Sequence, residues 1–196
     1  MSAATIEYFF SFRSPYSYLS GPRAFALPER FDVEIDFRGV IPMMMRGQSV
    51  PRAKALNTLR DVDGEAKRLG MPFGRIHDPL GEGATRVLAI SELAKDEGLE
   101  AQFVLDVSRA IWAEAVDVST DEGLRPVCEH AGLAWADCER ALADPEFADR
   151  VEANTAALAD LGQWGVPVFR FGEEIFWGQD RIEDLETDLR EAGLAI

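Results

Sequence analysis

The chain has 196 residues, of which 47% are hydrophobic and 28% charged. This is the composition of a globular protein with one domain, or with one domain that carries an insertion. The formal net charge of −15 argues against nucleic acid and anionic membranes as partners, because both are bound by basic surfaces. No apolar run approaches the roughly 20 residues of a membrane span. The first five residues lack the basic segment of an export signal, so we expect a cytoplasmic protein.

The first elements form a β-α-β unit. Residues 5–12 are rich in aromatic side chains and predict a buried strand. Residues 15–27 predict a helix that Pro28 ends, and residues 31–38 alternate apolar and polar side chains as a half-exposed strand does. A strand, a helix and a second strand in this order predict a parallel pair joined by a crossover.

Ser14 and Pro15 stand where the first strand gives way to the helix. Proline suits the first helical position because its missing N–H has no helical partner there, and serine suits the N-cap before it. The N-terminus of a helix favours negative charge. Ser14 can therefore cap the helix, hold an anion or take part in chemistry.

From about residue 43 to residue 162 the apolar side chains repeat with the helical period, and no strand is predicted. Glycines at 70, 98 and 132 separate the predicted helices, among them 121–131, 135–143 and 146–161.

Strand patterns return near the C-terminus. Residues 167–171 and 174–177 flank Gly172-Glu173 and predict a hairpin. A last helix is predicted over about 181–191, where Asp180 and Glu183 are spaced as in a capping box.

The predicted order is β-α-β, a long helical segment, then β-β-α. Two-stranded pieces are marginal alone, so the strands should join in one mixed four-stranded sheet. This is the α/β plan of a thioredoxin-like fold with a large all-helical insertion. It divides the chain into a discontinuous thioredoxin-like domain, residues 1–42 and 163–196, and a helical subdomain with its connecting helix, residues 43–162.

Neither cysteine predicts a metal or disulfide site. Cys128 and Cys138 lie in the helical segment outside any C-x-x-C pattern, and His77 and His130 are isolated in sequence. We therefore expect no metal, and we interpret both cysteines as small buried apolar residues.

Three motifs together resemble one family. Residues 9–19, Phe-Phe-Ser-Phe-Arg-Ser-Pro-Tyr-Ser-Tyr-Leu, are similar to the N-terminal motif of 2-hydroxychromene-2-carboxylate isomerases. These belong with kappa-class glutathione transferases in the DsbA-like group. Gly165-Val166-Pro167 resembles the cis-proline motif of that group, and residues 177–181, Trp-Gly-Gln-Asp-Arg, resemble its glutathione-binding segment.

Two weaker similarities lie in the helical segment. Lys54, Asn57 and Asp61 match a Lys-x-x-Tyr-x-x-x-Asp pattern, except that Asn57 replaces the aromatic residue of the family. Residues 112–114, Trp-Ala-Glu, resemble a Trp-x-Glu motif.

The resemblance implies a glutathione-dependent cis–trans isomerase of a small aromatic pyruvate-type compound, with glutathione as cofactor and a homodimeric assembly. It implies that Ser14 is catalytic and holds the glutathione thiolate. The residues it assigns to the peptide are Val166, Trp177, Gly178, Gln179 and Asp180, and those it assigns to the substrate are Lys54 and Asn57.

Residue type limits the chemistry at this helix start. Disulfide exchange needs two thiols spaced C-x-x-C, and the chain has Ser14 and Ser17 there instead. A hydroxyl beside a helix N-terminus can instead lower the pKa of a thiol brought from outside. Three alternatives remain open: a kappa-like transferase that keeps the thioether product, a non-catalytic binding module, and an accessory oxidoreductase that uses Cys128 or Cys138.

Overall fold

The computed structural model describes residues 3–196. Residues 1 and 2, which belong to the predicted 1–42 segment and to the N-terminal stretch without an export signal, lie outside the described residues.

In this described part of the chain, four strands and eight α-helices follow one another in the order predicted. The first three elements are β1 (Ala4–Phe10), α1 (Pro15–Phe25) and β2 (Val33–Gly39). Six helices come next: α2 (Arg52–Leu69), α3 (Glu82–Asp96), α4 (Glu100–Ala113), α5 (Asp121–His130), α6 (Trp135–Ala143) and α7 (Pro145–Asp160). The last elements are β3 (Val168–Phe171), β4 (Glu174–Trp177) and α8 (Ile182–Glu191).

The strands form one mixed sheet in the order β2-β1-β3-β4. β1 runs parallel to β2 and antiparallel to β3, and β3 and β4 form the predicted antiparallel hairpin. The mixed four-stranded sheet of a thioredoxin-like fold is thereby confirmed. The division of the chain at residues 42 and 163 stays a prediction.

Aromatic side chains fill the core on one face of the sheet. The Tyr8 ring stacks on that of Phe169 with centroids 4.7 Å apart, and its hydroxyl reaches Ser20 of α1 at 2.6 Å. Phe10 packs edge-on against Phe12, and Phe12 in turn packs edge-on against Phe103 of α4. The strand end that carries the candidate site is thus fixed by buried rings on this face of the sheet.

Two predicted boundaries shift for local reasons. β1 ends at Phe10 instead of residue 12, because Phe12 and Arg13 form the centre of a turn closed by the Ser14 N–H and the Ser11 carbonyl at 2.9 Å. The helix predicted to residue 27 ends at Phe25, and residues Leu27–Glu29 form a separate 3₁₀ turn around Pro28.

The capping box predicted for the last helix was wrong. Asp180 lies inside a 3₁₀ turn, Gln179–Arg181, and α8 begins at Ile182 without a side-chain cap. The carboxylate of Asp180 instead folds back over Gly178, where an added Cβ would lie 2.5 Å from its Oδ1. Gly178 has φ of 121°, a left-handed conformation that favours glycine, and the absence of a Cβ leaves room for this carboxylate. Within residues 3–196, no helix is both long and apolar enough to cross a bilayer.

Candidate active site

Ser14 is the N-cap of α1, as the Ser-Pro pair predicts. Its Oγ accepts a hydrogen bond from the Ser17 N–H at 3.2 Å and donates one to the Val166 carbonyl at 3.1 Å. The first contact is local, and the second brings together two segments that lie 152 positions apart in the chain. The hydroxyl is half-buried at the mouth of a cleft.

A closed series of contacts joins Ser14 to the C-terminal segment. The Val166–Pro167 bond is cis, as the motif implied, and the Pro167 carbonyl accepts from the Gly178 N–H at 3.0 Å. One residue after Gly178, the carbonyl of Gln179 accepts from the Arg23 guanidinium at 2.7 Å. Arg23 belongs to the same helix that Ser14 caps, so the series returns to its start.

Gln179 is buried in a small polar cluster. Arg23 donates to its side-chain oxygen as well as to its carbonyl, and its amide nitrogen lies 3.5 Å from Glu65 of α2. Glu65 also accepts from Arg68 at 2.7 Å. Burial, followed by the nearby charge of Arg68, lowers the pKa of Arg23, and the hydrogen bond from Arg68 lowers the pKa of the Glu65 carboxyl.

These segments surround a cleft of about 1360 Å³. It contains every site residue predicted from the sequence except Asn57: Ser14, Lys54, Val166, Trp177, Gly178, Gln179 and Asp180. Asn57 is exposed on α2 and is not among the lining residues, although Lys54 one turn earlier is.

Two tryptophans form one wall of the cleft. Trp164 and Trp177 are 41% and 49% exposed, and their rings meet edge-on with centroids 5.4 Å apart. Gly165 allows this approach, because an added Cβ would lie 3.3 Å from the Trp177 ring. The Lys54 ammonium lies over the Trp164 ring, 5.4 Å from its centroid. The wall therefore offers flat apolar surface beside a positive charge.

The charged side chains of the cleft balance each other in number. Arg13 forms a bidentate pair with Asp78 at 2.7 and 2.8 Å. Arg46 donates to two backbone carbonyls, those of Ile41 and Trp164. Within residues 3–196, Lys54 forms no ion pair. The five cations are Arg13, Arg23, Arg46, Lys54 and Arg68, and the five acids are Asp61, Glu65, Asp78, Asp180 and Glu183.

Two motif residues without a predicted role have structural partners here. Asp61 accepts from the Tyr16 hydroxyl at 2.7 Å, and burial together with this carboxylate raises the pKa of Tyr16 to about 12. The indole N–H of Trp112 donates to the Phe12 carbonyl at 3.0 Å and so fixes the turn before Ser14. Both residues hold the strand-to-helix junction in place.

The cysteines lie outside the cleft. Cys128 and Cys138 are buried free thiols on α5 and α6. The hydrogen bond to Cys138, together with burial, raises the pKa of the Cys128 thiol, which keeps it protonated and unreactive. Among the residues from 3 to 196, no group of three or more His, Cys, Asp or Glu side chains could hold a metal ion.

The partners that complete the site were missed at the sequence level. Arg23, Glu65, Asp78 and Trp164 contribute through contacts between distant segments, and none of them lies in a recognisable motif. Local motifs indicated the N-cap of α1, Gly165-Val166-Pro167, Lys54 and residues 177–180, but not these partners.

Curated relatives match nearly the whole chain at low identity. A 2-hydroxychromene-2-carboxylate isomerase of Sphingobium xenophagum is 26% identical over 196 residues, which cover 94% of this chain and 97% of the relative. An isomerase of the same name from Pseudomonas putida is 25% identical, with 93% and 92% covered.

Solved structures share the fold. A 2-hydroxychromene-2-carboxylate isomerase superposes with a TM-score of 0.81 at 22% identity, covering 96% of this chain and 95% of the other. The cytosolic disulfide reductase DsbM from Pseudomonas aeruginosa, solved with GSH, gives 0.70 at 20% identity, with 95% and 99% covered. The sequence model of the family described as DSBA-like thioredoxin domain matches residues 5–190. The chain therefore belongs to the DSBA-like thioredoxin domain family.

Proposed function

We propose that this protein is a glutathione-dependent cis–trans isomerase of a small aromatic pyruvate-type compound. The observation that carries the proposal is the Ser14 hydroxyl, which caps α1 and touches Val166 within a large cleft. The names of the curated relatives support the reaction class. The GSH in the DsbM structure supports the kind of thiol.

The backbone at Val166 suits a peptide-like thiol. Within residues 3–196, its carbonyl accepts only from Ser14 Oγ and its N–H has no hydrogen-bond partner. An extended peptide needs such a donor and acceptor to pair as an added strand. Glutathione, a short peptide with a thiol, therefore fits the groups present.

Ser14 couples peptide docking to thiolate stabilisation. Its hydroxyl has one proton, which the Val166 carbonyl accepts in this structure. A peptide N–H that pairs with the Val166 carbonyl would replace Ser14 there and free its proton for the sulfur. A hydrogen bond to the charged form lowers the pKa of a thiol, and the N-terminus of α1 acts in the same direction.

The segment that follows β4 extends the tryptophan wall and suits the γ-glutamyl end. Asp180 is exposed in the cleft and suits an ammonium group, while Gln179 is oriented by Arg23 and Glu65 and suits a carboxylate. The adjacent Trp177 and Gly178 complete this wall. We assign these four residues to glutathione.

We assign Lys54 and Asn57 to the acceptor side. Lys54 is the lining cation that has neither an ion pair nor a hydrogen bond within residues 3–196, and the tryptophan beneath it suits an aromatic ring. Asn57 lies outside the lining, so its contact with an acceptor requires a bound molecule that extends along α2. The chemistry that bound glutathione supplies is a thiolate nucleophile for a double bond conjugated to a carbonyl group.

The test compares Ser14→Ala with Ser108→Ala. Ser108 is a buried serine of α4 outside the cleft, so its replacement controls for the loss of a hydroxyl. The pKa of bound glutathione, followed by thiolate absorbance, should lie below about 8.5 in the wild type. It should rise by about one unit in Ser14→Ala, since a hydrogen bond to a charged group contributes about 1.5 kcal/mol.

Isomerisation of a hydroxybenzylidene pyruvate by Ser14→Ala should be about tenfold slower at pH 7 and should recover as the pH approaches the raised pKa. Full activity of Ser14→Ala at pH 7, or no dependence on glutathione, would refute the mechanism. Net consumption of glutathione with formation of a thioether would assign the transferase alternative instead. Absence of glutathione binding in calorimetry would leave the binding module.

We further propose that the protein acts in the cytoplasm as a homodimer, as implied by the family resemblance. Light scattering at micromolar concentration measures the assembly state directly.

A further inference from the structure

Arg13, the cation closest in sequence to Ser14, is already paired with a carboxylate of the protein. Arg13 receives Asp78 with its Nε at 2.7 Å and its terminal nitrogen at 2.8 Å, the parallel two-bond geometry that guanidinium groups form with carboxylates. Arg13 is 23% exposed and Asp78 is 53% exposed. Both side chains line the cleft. The cleft thus contains a formed carboxylate site whose occupant reaches into water.

The other arginines of the cleft contact the backbone or the cluster of Gln179 and Glu65. Arg23 is bound to Gln179, Arg46 to two carbonyls and Arg68 to Glu65 of its own helix. Removal of any of these partners would disturb the backbone or the wall of the cleft. Asp78 can leave Arg13 and still accept from the N–H of Leu80, which it contacts at 3.1 Å.

We propose that Arg13 binds the carboxylate of the acceptor molecule and that Asp78 pairs with Arg13 when no acceptor is bound. This inference rests on the proposed function, since it names the part of the cleft that receives the acceptor. Because Arg13 directly precedes Ser14, a carboxylate bound there lies beside the group assigned to the thiolate. Lys54 then remains for the ring and for the far end of the molecule.

The exchange suits a carboxylate better than a neutral group. The incoming carboxylate replaces the two hydrogen bonds that Arg13 loses, and the displaced Asp78 becomes solvated in water. Exposed ion pairs contribute little, so opening this one lowers the affinity for the acceptor by at most about fivefold. A neutral ester cannot compensate the lost charge, so Arg13 and Asp78 together select acceptors that carry an acid.

The experiment measures binding of phenylpyruvate and of its methyl ester by calorimetry without glutathione. Asp78→Asn keeps the contact to Leu80 and removes the competing charge, so phenylpyruvate should bind about threefold more tightly, within the range for an exposed pair. Arg13→Gln should bind it about tenfold more weakly, since the charge-assisted pair is lost. The affinity for the methyl ester should change by less than twofold in both variants.

Two controls separate this exchange from general electrostatics. Glu183→Gln makes the same change of charge on the cleft wall without freeing Arg13 and should alter phenylpyruvate binding by less than twofold. The double variant with both Arg13→Gln and Asp78→Asn should bind phenylpyruvate no more tightly than Arg13→Gln alone.

Equal gains in phenylpyruvate affinity in Asp78→Asn and in Glu183→Gln would overturn the proposal. It is also overturned by a gain that persists in the double variant, or by failure of phenylpyruvate to bind Asp78→Asn. A separate titration with glutathione keeps the two proposals apart. Failure of glutathione to bind refutes the proposed function, whereas the phenylpyruvate affinities alone decide the role of Arg13.

Discussion

Serine side chains in this protein differ in whether their hydroxyls have partners. Ser20 and Ser91 donate to carbonyls within their helices, and Ser14 bridges two segments. Ser11 and Ser108 are equally buried, but within residues 3–196 their hydroxyls have no partner. A buried hydroxyl without a partner loses its hydration and gains nothing in return.

Replacement of such a hydroxyl should stabilise the fold. We expect Ser108→Ala to raise the free energy of unfolding by about 1 kcal/mol, because the desolvation cost of the hydroxyl is removed. Urea denaturation measures the change. Ser91→Ala is the matched control, since its Oγ donates to the Leu88 carbonyl at 2.6 Å. It should be neutral or destabilising, and a gain of equal size there would contradict the explanation.

At the scale of elements, an ion-pair group attaches α8 to the first crossover. Glu186 accepts from both terminal nitrogens of Arg30, at 2.6 and 2.9 Å, and from Arg190 at 2.8 Å. Beside it, the last residues pair with the chain before β2 through Phe31 and Ala195. Arg30 and then Arg190 lower the pKa of the Glu186 carboxyl in the folded state.

The sign of the resulting pH dependence follows from this lowering. A carboxyl with a depressed folded pKa stabilises above its unfolded pKa, about 4.3, and loses that contribution as the pH falls through the folded value. Glu186→Gln should therefore be less stable than the wild type at pH 7, by at most about 1 kcal/mol because Arg30 is half exposed. The difference should vanish in unfolding measured below the folded pKa. A constant difference at all pH values would show that the charge is irrelevant.

At the scale of the whole molecule, the cleft is close to neutral inside a strongly acidic protein. Its five cations and five acids cancel, so the net charge of −15 lies elsewhere on the chain. That charge repels anions over distances that salt screens, since the Debye length falls from about 30 Å at 0.01 M to about 10 Å at 0.1 M.

The association of anionic ligands should therefore become faster as the salt concentration rises. We expect the association rate of glutathione, measured by stopped-flow fluorescence of the exposed tryptophans, to rise about twofold between 0.01 and 0.2 M salt as repulsion is screened. The monoester of glutathione, whose net charge is zero, provides the control and should show no change. A fall in the rate with salt would mean that cations at the cleft dominate the field.

The sequence was sufficient for features with a local cause. The helix start at Ser14-Pro15, the hairpin at Gly172 and the all-helical segment follow from proline chemistry, turn preference and periodicity. The pairs Arg13–Asp78 and Arg23–Gln179 could not be predicted, because no periodicity indicates which distant surface arginine meets which acceptor. The false capping box shows the same limit, since its spacing was correct but the backbone turned one residue later.

The series of contacts from Ser14 through Val166 and Gln179 to Arg23 also determines when the site can exist. Its hydrogen bonds join residues 152 and 156 positions apart, so loop closure over most of the chain must precede them. On a ribosome, the helices between β2 and β3 can pack while the last strands are still unmade, but no cleft can form until the turn Gln179–Arg181 has emerged. Binding competence is therefore acquired only once this turn has emerged, because a chain that stops before it can form the contact between Ser14 and Val166 but lacks the Gln179 carbonyl that binds Arg23.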